Sequence, residues 1–209
     1  CTGGMENCTN RGAITANGTF NKNLMASGIS CYGRGTISEC NNYGDILIDN
    51  EFSGELYASG FVSRTHTSAI TATKCNNYGN ITFRGKAGHS RIGGLVEEDW
   101  NKDFTLTDCH NHGNITIEGT TGTKAWNIGG VLGYAYNTST QQNLENNGDI
   151  LVHFTKAGIA HVRVGGIAHG IRRAIDGAVN NGNITVRGKV GDVDSAKKRI
   201  GSLYIGGIV

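Results

Sequence analysis

One phrase occurs six times along the chain, and nothing else in the sequence restricts the fold as strongly. It reads Cys8-Thr-Asn-Arg-Gly12-Ala-Ile14, Cys40-Asn-Asn-Tyr-Gly44-Asp-Ile46, Cys75-Asn-Asn-Tyr-Gly79-Asn-Ile81, Cys109-His-Asn-His-Gly113-Asn-Ile115, Leu144-Glu-Asn-Asn-Gly148-Asp-Ile150 and Ala178-Val-Asn-Asn-Gly182-Asn-Ile184. Its glycines lie 32, 35, 34, 35 and 34 residues apart. A second phrase follows each copy: Ala26-Ser-Gly-Ile29, Ala58-Ser-Gly-Phe61, Ile92-Gly-Gly-Leu95, Ile128-Gly-Gly-Val131, Val164-Gly-Gly-Ile167 and Ile205-Gly-Gly-Ile208. Two phrases locked at one period define a repeat architecture, in which each unit buries its apolar residues only against its neighbours.

The units are strand-like. Ile46 and Ile48, Ile81 and Phe83, Ile115 and Ile117, Ile150 and Val152, and Ile184 and Val186 alternate with other residues at period 2, which excludes helix. A further strand precedes the Cys position, carried by Ile37, Ala72, Leu106 and Ile175, with Gln141 interrupting that column. Three short strands per unit, joined by turns rich in Gly and Asn, stack like over like at ~4.8 Å. The fold class expected is therefore all-β: a right-handed parallel β-solenoid of about six coils of 32–36 residues, forming one domain over residues 1–209. A β-propeller needs four antiparallel strands in roughly 40–45 residues per blade. The composition agrees with a solenoid, since 33 glycines and no proline among 209 residues suit a fold made of turns and unbroken ladders.

Each recurring residue then has an expected task. The Asn at the third phrase position (Asn10, Asn42, Asn77, Asn111, Asn146 and Asn180) is present in all units and suits a rung-to-rung ladder. The Gly two residues later is expected at positive φ, and the Gly-Gly pair at a tight corner. Cys8, Cys40, Cys75 and Cys109 give way to Leu144 and Ala178 in the later units, so the column reads as core-facing thiols rather than metal ligands. Asp49, Arg84, Glu118, His153 and Arg187 fall in one outward column, in which Asp49, Arg84 and Glu118 alternate in sign and form a charge ladder.

The stretch Ile92-Gly-Gly-Leu-Val96, followed by Leu106-Thr-Asp-Cys109-His-Asn-His-Gly113-Asn-Ile115, resembles the GLUG repeat of bacterial surface proteins. The resemblance runs through nearly the whole chain, with Ala26-Ser-Gly-Ile29 and Ala58-Ser-Gly-Phe61 departing by one Gly. It implies an extracellular or cell-surface protein with adhesin-like, structural character.

No catalytic arrangement stands out. The His-Glu-x-x-His pentad of metallopeptidases is missing, and Asp45 and Asp149 lie three units apart, too far to act as a glycosidase pair. Glu97, Glu98, Asp99 and Asp103 fall in one loop and Asp192 and Asp194 in another, and read as solvated. His110 and His112 are two ligands, short of a metal site. The reading is a non-catalytic module without cofactor or metal, serving as stalk or binding surface. A polysaccharide-degrading β-helix and a subunit of an extracellular filament stand as alternatives.

The spacers between phrases carry aromatic residues expected on loops: Tyr57, Phe61, Trp100, Trp126, Tyr134 and Tyr136 are the candidate partner contacts, for a host or bacterial surface protein or a glycan. Residues 151–209 carry 9 Lys+Arg against 3 Asp+Glu, but no aromatic residues interleave the basic cluster, which disfavours nucleic acid. No apolar run is long enough to span a membrane. The repeat stops partway through a unit at Ile205-Gly-Gly-Ile208-Val209, so a segment of a longer solenoid is expected, stacking end to end on further repeats or subunits.

Overall fold

The computed structural model of the chain describes residues 4–20, 22–99, 104–121, 125–135, 141–156, 161–171, 174–188, 192–193, 199–200 and 202–209. Among the described residues there is no helix. The repeat folds as the sequence predicts, into a β-solenoid with three parallel sheets running along its length.

The alternating Ile phrase builds the first of these, the isoleucine sheet. Its six strands are Ile14–Phe20, Ile46–Phe52, Ile81–Ala87, Ile115–Thr121, Ile150–Lys156 and Ile184–Gly188. They pair in register, so that Ile14, Ile46, Ile81, Ile115, Ile150 and Ile184 form one column. The strands leading into the Gly phrase form the glycine sheet: Leu24–Ser27, Glu55–Ser59, His89–Gly93, Trp126–Gly129, Val162–Gly165 and Leu203–Gly206. Six strands in each sheet make about five turns. The asparagine sheet holds the strand before each Cys together with the phrase Asn. In the second and third coils that strand is longer than its short sequence signature, spanning Ser30–Ser38 and Val62–Thr73.

The core runs in two parallel seams. One lies between the isoleucine and glycine sheets and includes Ile48, Phe83, Ile117, Leu56, Ile92 and Trp126. The other contains the thiols Cys40, Cys75 and Cys109 beside Ile37, Ala72, Leu106 and Leu144. These cysteines are buried and free, in the core-facing place that the Cys-to-Leu-to-Ala exchange implies. Burial raises the Cys40 thiol to about 11, and Cys75, hydrogen-bonded with Cys109 and buried, is raised as well.

The Asn ladder is continuous. Asn10 Nδ2 donates to Asn42 Oδ1 at 2.7 Å, and Asn42 to Asn77, Asn77 to Asn111, Asn111 to Asn146 and Asn146 to Asn180 each do so at 2.8 Å. The second amide hydrogen of each goes to the carbonyl of its own phrase Gly, as in Asn77 Nδ2 to Gly79 O at 2.8 Å. Asn42, Asn77, Asn111 and Asn146 are wholly buried, so these bonds satisfy amides that would otherwise be costly to desolvate.

The glycines depart from the expectation. Among the described residues the phrase glycines Gly44, Gly79, Gly113 and Gly148 do not have positive φ. They are needed for close approach: a Cβ on any of them would collide with the carbonyl oxygen of the phrase Gly one coil below. The second Gly of the other phrase is equally steric. A Cβ on Gly28, Gly60, Gly94, Gly130 or Gly166 would run into the ladder side chain of Asn42, Asn77, Asn111, Asn146 or Asn180. The left-handed corner sits elsewhere, one residue before the Cys column, at Asn7, Glu39, Lys74, Asp108 and Asn143, with φ of 51–54°, and at Gly177.

Three substitutions test this frame. Asn111→Ala leaves ladder groups on both neighbouring coils without partners and should lower unfolding free energy by about 1–3 kcal/mol in urea titrations. Lys74→Gly relieves a left-handed side-chain conformation and should raise stability by roughly 0.5–1 kcal/mol, the penalty of that conformation less the chain entropy of Gly. Gly79→Ala should lower it.

Candidate functional site

Strand alternation points one side of the glycine sheet into the core and the other outward. The outward column is Met25, Tyr57, Arg91, Asn127, Arg163 and Tyr204, stacked in register. After the Gly corner the chain leaves at an angle, and this departing strand places Tyr32 in register with Arg64. The two surfaces meet in a re-entrant angle, where arginines and aromatic rings interleave. Tyr57 lies between two guanidinium groups, with Arg64 Cζ 5.2 Å and Arg91 Cζ 5.5 Å from its ring centroid. Arg91 also faces the Tyr134 ring at 5.8 Å, and Arg163 the Tyr204 ring at 5.9 Å. Distances within ~6 Å are those at which a cation is attracted to a ring face.

Between these ends the angle is filled, since Tyr57, Arg91 and Asn127 are buried. Among the described residues, recesses open at either side of it. One, of about 530 Å³, is lined by Lys22, Asn23, Met25, Tyr32, Gly54, Tyr57 and Arg64. The other, of about 580 Å³, lies at the C-terminal end and includes Arg163, His169, Tyr204 and Val209. Beside the first, Glu55 accepts a hydrogen bond from the Tyr57 hydroxyl and faces His89 Nδ1 at 3.5 Å. Burial pushes the Glu55 carboxyl up, but the bonds from Tyr57 and His89, with the charges of His89 and Arg91, outweigh it and hold the group below its ordinary range. The Tyr57 hydroxyl is pushed up by burial and by that carboxylate.

The expected aromatic contacts divide. Phe61 and Trp126 are wholly buried and Tyr57 nearly so, which corrects their placement on exposed loops. Trp126 packs edge-on between Phe83 and Phe154, with centroids at 5.6 and 5.9 Å. Room for the indole comes from Ser90, its small neighbour in register on the coil below. Tyr134 is half-buried and leans on His169, with ring centroids 5.3 Å apart. Trp100 and Tyr136 lie outside the described residues, as do Asp103 and Asp194. Tyr32, with 43% of its surface exposed, was not singled out by the sequence, where only its register with Arg64 in the spacer hints at a role.

Of the polar residues considered as catalytic or ligating groups, Asp45, Asp149, His112 and Glu97 are held in ladders or in the interior. Asp45 Oδ1 accepts from the Asn80 backbone N–H at 2.7 Å and Asp149 Oδ1 from that of Asn183 at 2.8 Å, the second ladder along the coil. His112 stacks on Tyr78 at 4.7 Å, which in turn stacks on Tyr43 at 4.7 Å, and Asn147 lies 3.2 Å from its Nδ1. Arg84 pairs with Glu118 at 3.2 Å within the expected charge column. Glu97, expected in a solvated loop, is instead wholly buried, because it lies on the strand Val96–Asp99, which is paired on both sides by neighbouring coils. Among the described residues, no three His, Cys, Asp or Glu side chains converge as a metal would require.

No family model, no curated protein and no solved structure matches the chain. The repeat phrases and the geometry of the outward angle are therefore what bear on function.

His169 gives this region a pH signature. Burial, reinforced by the charges of Arg163 and Arg91, lowers it from 6.5 to about 4. A group depressed in the fold binds protons more readily in the unfolded chain, so its contribution to stability is complete above about 6.5 and is lost as pH falls toward 4. Urea midpoints measured across that window should fall with acidification, and His169→Gln should flatten the slope.

Proposed function

We propose that this chain is a non-catalytic, extracellular structural and adhesion module of the GLUG-repeat kind, from a bacterial surface protein. Its binding surface is the recess formed by Lys22, Asn23, Tyr32, Tyr57 and Arg64. One observation carries the reading. Every residue that recurs from unit to unit is consumed by the coil itself, in ladder, core or close approach, so specificity falls to residues that do not recur. The non-recurring residues that line an open recess combine cations with aromatic rings, next to a carboxylate engaged by Tyr57 and His89. Such a lining suits a glycan bearing carboxylate or sulfate groups, which guanidinium groups can clasp while a ring packs on the sugar face.

The test is a glycan array probed with the purified chain, followed by a cleavage assay on each glycan retained. Acidic glycans should be retained and remain intact. Tyr32→Ala or Arg64→Ala should weaken retention by about tenfold, on the order of one cation–π or charge-assisted contact, with the far-UV circular dichroism unchanged. Turnover of a retained glycan would favour the polysaccharide-degrading alternative and overturn the proposal.

A further inference from the structure

Four cysteines stand one above another, three of them buried in the second core seam. The Asn phrase pairs in register from coil to coil, Thr9 with Asn41, Asn41 with Asn76 and Asn76 with His110, so Cys8, Cys40, Cys75 and Cys109, each one residue earlier, form a single column. Backbone bonds hold the column closed at every step. Asn41 N donates to Cys8 O at 2.9 Å, and Asn76 N to Cys40 O and His110 N to Cys75 O at 3.1 Å. Strands stacked at ~4.8 Å put successive Cα atoms inside the roughly 4.4–6.8 Å range that a disulfide spans, and bringing the Cβ atoms within its ~3.5–4.5 Å range needs a shift of only a few tenths of an ångström.

The column stops inside the chain. Leu144 follows Cys109 in register and carries no thiol, so the stacked partner left to Cys109 is Cys75. Counting down from that point, Cys40 falls to Cys8. The thiols are already grouped in this way. Cys75 donates to Cys109, which holds the Cys109 thiol below its ordinary value against the effect of burial, and Cys40 hydrogen-bonds with Cys8. These sulfurs otherwise make weak bonds to carbonyls, such as Cys109 Sγ to Thr107 O at 3.2 Å and Cys75 Sγ to Thr73 O at 3.3 Å, and little is lost when they are given up. Cys31 is the contrast, since the residue in register with it on the next coil is Ser63.

We infer that Cys75 and Cys109 become joined by a disulfide across the third and fourth coils, and Cys8 and Cys40 by another across the first and second. The second and third coils keep no covalent tie. The bonds form by exchange with a small-molecule disulfide while the coils assemble, because Cys40, Cys75 and Cys109 are wholly buried once the column has closed. One cysteine thiolate attacks a sulfur of the donor and expels a thiolate. The neighbouring cysteine, having lost its proton, then attacks the cysteine sulfur of the mixed disulfide and expels the second thiolate. Two cysteine thiols are thus oxidised and the donor is reduced to two thiols, which take up the two protons. In the cell the exchange needs the oxidising surroundings of the extracellular reading above, but the pairing itself rests on the column alone.

For the test, the reduced chain is unfolded in urea, refolded with glutathione disulfide present, checked by circular dichroism and digested without reduction. Mass spectrometry should find the Cys75 peptide joined to the Cys109 peptide and the Cys8 peptide to the Cys40 peptide, with none of these four thiols open to alkylation in denaturant. Dithiothreitol should restore all four and lower the urea midpoint. Cys109→Leu copies the residue that Leu144 supplies one coil on, so it should fold; it should leave one column thiol free and lose part of the shift that dithiothreitol causes. In the refolded wild-type chain, any thiol of the four that stays free or carries glutathione, or any other pairing among them, would overturn the inference. None of these results bears on glycan retention, so the function proposed above stands or falls separately.

Discussion

The architecture depends on a buried amide meeting a missing side chain. A primary amide removed from water needs all its hydrogen-bonding groups engaged, and the ladder engages them along the axis and within the turn at once. The arrangement is possible only because Gly60, Gly94 and their equivalents leave room beside the amide, and because the stacked phrase glycines let consecutive turns close on one another. Register follows from this. A strand slipped by one residue would bury the wrong side chains and leave a row of amides unpaired, so the ladder and the Ile column enforce the same alignment.

Around that fixed frame the coils differ, and the differences are compensated locally. Gly93, Gly129 and Gly165 sit where a Cβ would strike the carbonyl of Val96, Leu132 or Ala168. In the first two coils Ser27 and Ser59 take that place, and their hydroxyls are absorbed by bonds to the Phe61 carbonyl and to Ser63. Gln141, which breaks an apolar column, is buried by imitating a peptide group: its Oε1 accepts from Leu106 N at 2.8 Å and its Nε2 donates to Phe104 O at 2.6 Å.

Much of the frame was legible in the sequence because period and polarity alone specify it. Ile81 and Ile115 had to stack, Asn77 and Asn111 had to bond, and Cys75 had to be exchangeable with Leu144 and Ala178. The conformational corner was legible only in part: Asn7, Asp108, Asn143 and Gly177 are residues that suit a left-handed backbone, but Glu39 and Lys74 in the same column are not, and the recurring phrase glycines offered a more obvious but mistaken explanation. The side recess was legible only in part. Phe61 and Trp126 looked like spacer aromatics, yet the strand phase of the glycine sheet turns Trp126 inward over Ser90, and the corner carries Phe61 into the second seam. Tyr57 and Arg64 come together through two strands meeting at an angle, a relation that no linear spacing encodes.

The axial ladder also sets how the molecule would respond to tension. Its bonds lie along the rod, and the two chain termini leave from opposite ends, so a pull on them loads one coil boundary at a time rather than all in parallel. Each coil released exchanges about 4.8 Å of stacked height for the contour of roughly 34 residues, on the order of 110–120 Å. Such a rod is short at rest and long under load. Its extension is metered in equal steps, because the repeat length that builds each coil is also the length that each coil gives up.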